Sequence, residues 1–196
     1  MADRFPDPTG VHGLLLAAGE GRRMGMPKAL VRDDDGTSWL HRSLAALRDG
    51  GCAQVTVVLG AGAAEARLML DGKVEVVIAA DWAEGMGASL RAGLGALPDA
   101  LTGPVATLVS LVDLPDVGPD VVARVLAAAT GPQALARAAY DGEPGHPVLL
   151  GRDHWAGVIE TAAGDRGARD YLLAHQHQLT LVECGDLASG HDQDSR

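Results

Sequence analysis

Short apolar runs alternate along this chain with longer stretches in which apolar residues recur every three or four positions. Val11–Ala17 is apolar apart from His12 and reads as a buried strand. A glycine-rich loop follows from Ala18 to Lys28. Ser38–Arg48 has helical spacing and stops at Gly50-Gly51, a C-terminal signal. Gln54–Leu59 reads as a strand, Ala63–Leu70 as a helix, Val74–Ala79 as a strand and Ala88–Leu97 as a helix closed by Pro98. Val105–Val112 is an almost wholly apolar strand, and Pro119–Ala129 a helix with proline at its first position. Leu135–Tyr140 and His146–Leu150 pair as a hairpin across Asp141-Gly142. Arg152–Ala162 and Arg166–His175 read as helices, and Leu179–Glu183 as a last strand.

This alternation predicts an α/β fold: a mostly parallel, twisted sheet with helices on both faces and a small hairpin subregion. In open sheets of that kind ligands lie beyond the carboxyl ends of the strands. The loops after Ala17, Leu59, Ala79 and Val112 are therefore the places to look for chemistry. No period of 20–50 residues marks a repeat architecture. No linker divides the chain, so residues 11–184 are expected to form one domain. Residues 1–10 and the polar stretch 185–196 are expected to be flexible.

Composition narrows the function classes. A chain of 196 residues at 20.1 kDa, 47% hydrophobic and 21% charged, builds a core without a disulfide or metal staple. Cys52 and Cys184 are too few and too far apart for a disulfide framework. No apolar run reaches membrane-spanning length and the N-terminal residues carry no apolar signal region, so a cytoplasmic protein is expected. The net charge of -10 and only six aromatic residues argue against nucleic acid as a partner. Positive charge is nevertheless concentrated in one place: Arg22, Arg23, Lys28 and Arg32 fall within eleven residues. A small anionic ligand suits that cluster.

The segment Leu14-Leu15-Leu16-Ala17-Ala18-Gly19-Glu20-Gly21-Arg22-Arg23-Met24-Gly25-Met26-Pro27-Lys28 combines the two things a polyphosphate needs. Glycines let backbone N–H groups approach closely, and three basic side chains add charge. Two familiar phosphate loops do not fit. Lys28 is followed by Ala29 rather than Ser or Thr, and the third glycine comes one position late for a dinucleotide fingerprint. The run LAAGEGRRMGMPKAL resembles instead the signature of the MobA-like nucleotidyltransferases. Its Ala17-Ala18-Gly19 and Pro27-Lys28 are similar to the branch that cytidylates molybdenum cofactor, where the guanylylating branch usually has Gly-Gly and Asp-Lys. Gly85-Met86-Gly87-Ala88-Ser89-Leu90-Arg91-Ala92-Gly93-Leu94 resembles the same branch, as do Gly145-His146-Pro147-Val148 and Gly164-Asp165-Arg166-Gly167-Ala168-Arg169.

The resemblance implies a Rossmann-like nucleotidyltransferase fold and a set of site residues. Leu16, Ala17, Ala18, Gly19, Gly21, Arg22, Arg23, Lys28, Gly87 and Ser89 would contact the nucleotide. Arg23, Lys28 and Asp113 would carry catalysis, and His146, Asp165 and Arg169 would frame the second substrate. Asp113, in Val112-Asp113-Leu114-Pro115-Asp116 after an apolar strand, would hold Mg²⁺, with Asp194 of the terminal Asp192-Gln193-Asp194 as a second ligand. Read without the resemblance, Asp113 at a carboxyl strand end faces the ligand crevice, with a turn role before Pro115 as the alternative; Ser89 is equally a helix cap, and a lone His such as His146 is usually a structural hydrogen-bonder. Asp116 reads as charge at a helix N-terminus. Relatives usually finish with Thr-Pro and a helix after the acidic pair, and this chain lacks both.

The implied reaction transfers CMP from CTP to the phosphate of molybdenum-bound molybdopterin and releases pyrophosphate, with a recipient molybdoenzyme as a further partner. The attacking phosphate oxygen is already anionic near neutral pH, so no general base is needed. Two alternatives stay open. One is cytidylyl or guanylyl transfer to another phosphorylated acceptor. The other is a non-catalytic, nucleotide-binding accessory of molybdoenzyme maturation.

Overall fold

The computed structural model describes residues 10–72, 74–98 and 103–193. Among the described residues seven strands form one sheet: β1 Val11–Ala17, β2 Gln54–Leu59, β3 Glu75–Ile78, β4 Ala106–Leu111, β5 Leu135–Tyr140, β6 Glu143–Gly151 and β7 Thr180–Glu183. Six α-helices accompany them among the same residues: α1 Trp39–Asp49, α2 Ala63–Met69, α3 Met86–Ala96, α4 Pro119–Leu126, α5 Trp155–Thr161 and α6 Arg169–Ala174. The strand order is β3-β2-β1-β4-β6-β5-β7, and only β6 runs antiparallel to its neighbours. Among the described residues no helix is long and apolar enough to cross a membrane.

The alternation of side chains along each strand divides the core between two faces. Leu15 and Ala17 join Leu40, Leu44 and Leu47 of α1 and Val121, Val122 and Val125 of α4 on one side. Leu14 and Leu16 join Leu90 and Leu94 of α3, Trp155 and Val158 of α5 and Leu172 of α6 on the other. Every residue of β1 is buried, because helices cover both of its faces. That explains why it reads as a continuous apolar run rather than an alternating one.

Most elements lie where the apolar pattern put them, with shifted ends: α5 and α6 start three residues later than the spacing suggests, at Trp155 and Arg169, and α4 stops at Leu126. Helix α3 starts at Met86, two residues before the spacing suggests. Gly85 and Gly87 read as loop, yet Gly87 is helical and lets α3 press on residue 163. A Cβ there would stand 2.7 Å from the Ala163 nitrogen. Strand β6 begins at Glu143, so the hairpin turn is only Asp141-Gly142. Both take positive φ, 53° and 82°, which the tight turn between twisted strands requires.

One crevice follows from the topology. From β1 the chain winds through β2 to β3 in one direction, then crosses to β4 on the other side of β1. The loops after β1 and β4 therefore part at their carboxyl ends, which is where an open sheet of this type offers a site.

Candidate functional site

The loop from Ala18 to Lys28 is shaped by its own backbone. The N–H groups of Met24 and Gly25 both donate to the Gly21 carbonyl, at 2.8 and 2.9 Å. The Lys28 N–H donates to the Gly19 carbonyl at 3.1 Å and closes the base of the loop. Gly21 makes this possible. Its φ is 63°, and a Cβ would fall 2.1 Å from the Met26 oxygen. No other residue type fits there. The Ala61 N–H donates to the Ala18 carbonyl at 3.1 Å, tying the loop to the end of β2.

Beneath the loop lies a cleft of about 530 Å³. Lys28 crosses it to form an ion pair with Asp113, the residue two beyond β4. Asp113 is only 6% exposed, so this pair links the two halves of the crevice in a poorly solvated place. Arg22 and Arg23 also line the cleft; Arg22 is exposed and paired with Glu20 at 2.8 Å. Glu20 and, across the cleft, Asp165 raise the Arg22 pKa above its usual range. The floor comes from Trp82, Met86 and the buried Ser89 at the start of α3.

Of the residues singled out above, Leu16, Ala18, Gly19, Gly21, Arg22, Arg23, Lys28, Ser89, Asp113 and Asp165 line this one cleft. Four do not. Ala17 points its methyl into the core beside α1. Gly87 backs on residue 163 and seats α3. His146 lies at a separate small hollow that shares Leu16 and Met86 with the cleft, and Arg169 follows Ala168 of the same hollow. Asp194 lies outside the described residues.

Sequence reasoning missed Trp82 and underrated Asp192. Trp82 is one of the few aromatic residues and follows β3, a signal that was available. Asp192 lines the cleft, and the neighbouring Gln193 N–H donates to the Asp113 carbonyl at 2.9 Å. Asp116 does something other than charge a helix end. Its carboxylate accepts from both the N–H and the hydroxyl of Ser189, each at 2.6 Å. Arg124 holds Asp186 as well. The polar stretch 185–193 is thus strapped across the end of β4, and that strap carries Asp192 to the cleft. Burial pushes the Asp116 pKa up, but the Ser189 hydrogen bonds bring the net value below its ordinary range.

No cluster of three His, Cys, Asp or Glu suited to a metal occurs among the described residues. Mg²⁺ does not need one. It accepts one or two protein carboxylates and takes its remaining oxygens from water and substrate phosphates. Asp113 and Asp192, hard oxygen donors in one cleft with basic side chains opposite, fit such an ion bound together with a phosphate chain.

The profile of the MobA-like NTP transferase domain matches residues 13–179. Nicotine blue oxidoreductase of Paenarthrobacter nicotinovorans is 34% identical over 195 residues, covering 94% of this chain and 92% of that protein. The probable molybdenum cofactor guanylyltransferase of Mycobacterium tuberculosis is 27% identical over 164 residues, 84% of this chain and 79% of that protein. Among solved structures, the Rv0371c homologue from Mycobacterium sp. strain JC1 superposes with a TM-score of 0.80 at 28% identity, over 95% of this chain and 91% of that one.

Proposed function

The chain belongs to the MobA-like NTP transferase family, and we propose that it transfers CMP from CTP to the phosphate of molybdenum-bound molybdopterin, releasing pyrophosphate. The observation that carries this reading is the Lys28–Asp113 pair, set across the crevice between β1 and β4 directly under the glycine loop. Binding chemistry follows from it. A triphosphate entering the loop offers Lys28 a stronger anionic partner, and Arg23 lies on the same wall. The acceptor's phosphate oxygen forms a bond to the α-phosphorus as the bond from that phosphorus to the bridging oxygen breaks. The electron pair leaves on pyrophosphate, where Lys28, Arg23 and loop N–H groups stabilise the charge. Asp113 and Asp192 are the carboxylates that would hold Mg²⁺, which when bound neutralises phosphate charge. The choice of cytidine rests on Ala17-Ala18-Gly19 and Pro27-Lys28.

Pyrophosphate release, measured with each of the four nucleoside triphosphates and a molybdopterin acceptor, tests the proposal. Release is expected with CTP above the others. Release with GTP alone overturns the base assignment, and no release with any nucleotide overturns transfer itself.

A second reading is favoured by one observation: the 34% identical relative bears the name of an oxidoreductase. A redox reaction would then use the same cleft, which Trp82 and Met86 line. Oxidation of NADH or NADPH with a redox dye, without pyrophosphate release, is its signature.

A further inference from the structure

One guanidinium ties the floor of the main cleft to one of its sides. Helix α3 places Gly87 and Arg91 four residues apart, and thus on one face. That face meets the segment after α5. A Cβ on Gly87 would stand 2.7 Å from the Ala163 nitrogen, and Arg91 Nη1 donates to the Ala162 carbonyl at 2.7 Å. Arg91 Nη2 donates to Glu84 Oε2 at 2.9 Å. Glu84 ends the short turn Trp82–Glu84 that leads into α3. One side chain therefore joins residues that lie 71 and 7 positions from it along the chain.

Both joined segments shape the cleft. Trp82, Ala83 and Glu84 line it from the first, and Asp165 lines it from the second. Gly85, between the turn and the helix, presses on the second segment too. Its φ is 117°, and a Cβ there would stand 2.5 Å from Asp165 Oδ1. Close approach at Gly85 and Gly87 is non-directional; it fixes only how near the segments come. The fork of Arg91 supplies direction, because it holds the carbonyl of the buried Ala162 and the Glu84 carboxylate at once. An ion pair as exposed as this one, at 32% for Arg91 and 59% for Glu84, adds little to global stability. Its effect is on where the parts of the cleft stand.

We propose that Arg91 is a positioning residue for the nucleotide: its guanidinium ties the Trp82–Glu84 turn to the segment bearing Asp165 and so sets the shape of the cleft that the nucleotide enters. The inference rests on the nucleotidyltransferase reading and deepens it. Lys28, Arg23 and Asp113, to which that reading gives the chemistry, come from the glycine loop and the end of β4. The hydrogen bonds of Arg91 go to other parts of the cleft. Losing them should weaken nucleotide binding more than it slows the chemical step. The loss would also leave the Glu84 carboxylate unpaired in a cleft that receives a polyanion, so the test must separate the tie from its charge.

The test uses the full chain and two readouts. In Arg91→Gln, amide exchange over 82–85 and over 162–166 is expected to quicken together by about tenfold, while the amides of β1 and β4 keep the parent's rates. Unchanged exchange in either segment overturns the tie. Equal quickening in β1 and β4 makes Arg91 a general structural residue and overturns it too. In pyrophosphate release, KM for CTP is expected to rise about tenfold with kcat within about twofold of the parent. An unchanged KM, or a loss confined to kcat, overturns the positioning role. Arg91→Lys keeps the charge and lacks the fork, so it is expected to follow Arg91→Gln in both readouts. A return to the parent's KM in Arg91→Lys assigns the effect to charge alone and overturns the proposal. A parent chain that releases no pyrophosphate with any nucleotide fails the nucleotidyltransferase reading, whereas exchange decides the tie by itself, so either can fail alone.

Discussion

Lys28 is the side chain on which the chemistry of the cleft turns, because it is shared between Asp113 and an incoming polyphosphate. Lys28→Ala is expected to lower pyrophosphate release on the order of 10³-fold, the cost of losing a transition-state cation. Its melting temperature should fall as well, because Asp113 is left buried without its partner. Full turnover in the folded variant would remove Lys28 from the chemistry. Two histidines resist protonation in the folded chain. Burial lowers the pKa of His12 against the pull of Glu75, and burial with Arg137 lowers that of His146 to about 4. The unfolded chain takes up these protons near pH 6.5 and the folded chain refuses them. Stability is therefore complete above about 6.5 and declines as pH falls toward 4. Melting temperatures across that range should show the slope, and His146→Gln should flatten part of it. An identical slope in the variant would assign the effect to other groups.

At the level of elements, the strap 185–193 matters more than its composition suggests. It carries no regular structure beyond β7, yet Asp116 and Arg124 anchor it from the segment after β4 and from α4. Asp116→Ala removes both hydrogen bonds to Ser189. Amide exchange over 187–193 should then quicken by roughly ten- to a hundredfold, given about 1.5–3 kcal/mol for a hydrogen bond to a charged group. Turnover should fall with it if Asp192 acts from the strap. Faster exchange at full activity would remove Asp192 from the site. The same scale explains why α3 was read two residues short. Glycine is a poor helix former on propensity, but at 87 it is the only side chain that allows the helix to meet residue 163.

For the molecule as a whole, the sheet is a platform whose central strands hold the site loops. Leu15 of β1 is fully buried beneath the loop, and Leu181 of edge strand β7 is 49% exposed. Leu15→Ala should cost about 2–5 kcal/mol through lost burial and a residual cavity. At roughly 2–4 °C per kcal/mol, melting should fall by about 4–20 °C. Leu181→Ala should stay within about 0.5 kcal/mol. Equal losses would mean that the edge is as well packed as the centre. Net charge also acts at this scale. A chain of -10 attracts anions only where positive charge is concentrated, as Arg22, Arg23 and Lys28 are along one cleft.

The sequence by itself determined the alternation of strands and helices, the parallel sheet and the glycine loop with its lysine. Each of these is local: a period of apolar positions, or a glycine and a charge within fifteen residues. Tertiary structure alone decided what meets what. Lys28 and Asp113 are 85 positions apart, and Asp116 and Ser189 are 73 apart. No window along the chain contains such pairs. They arise because a strand order of β1-β4-β6-β5 gathers the ends of distant segments on one edge, and burial there sets which charges are paired and which are left for a ligand.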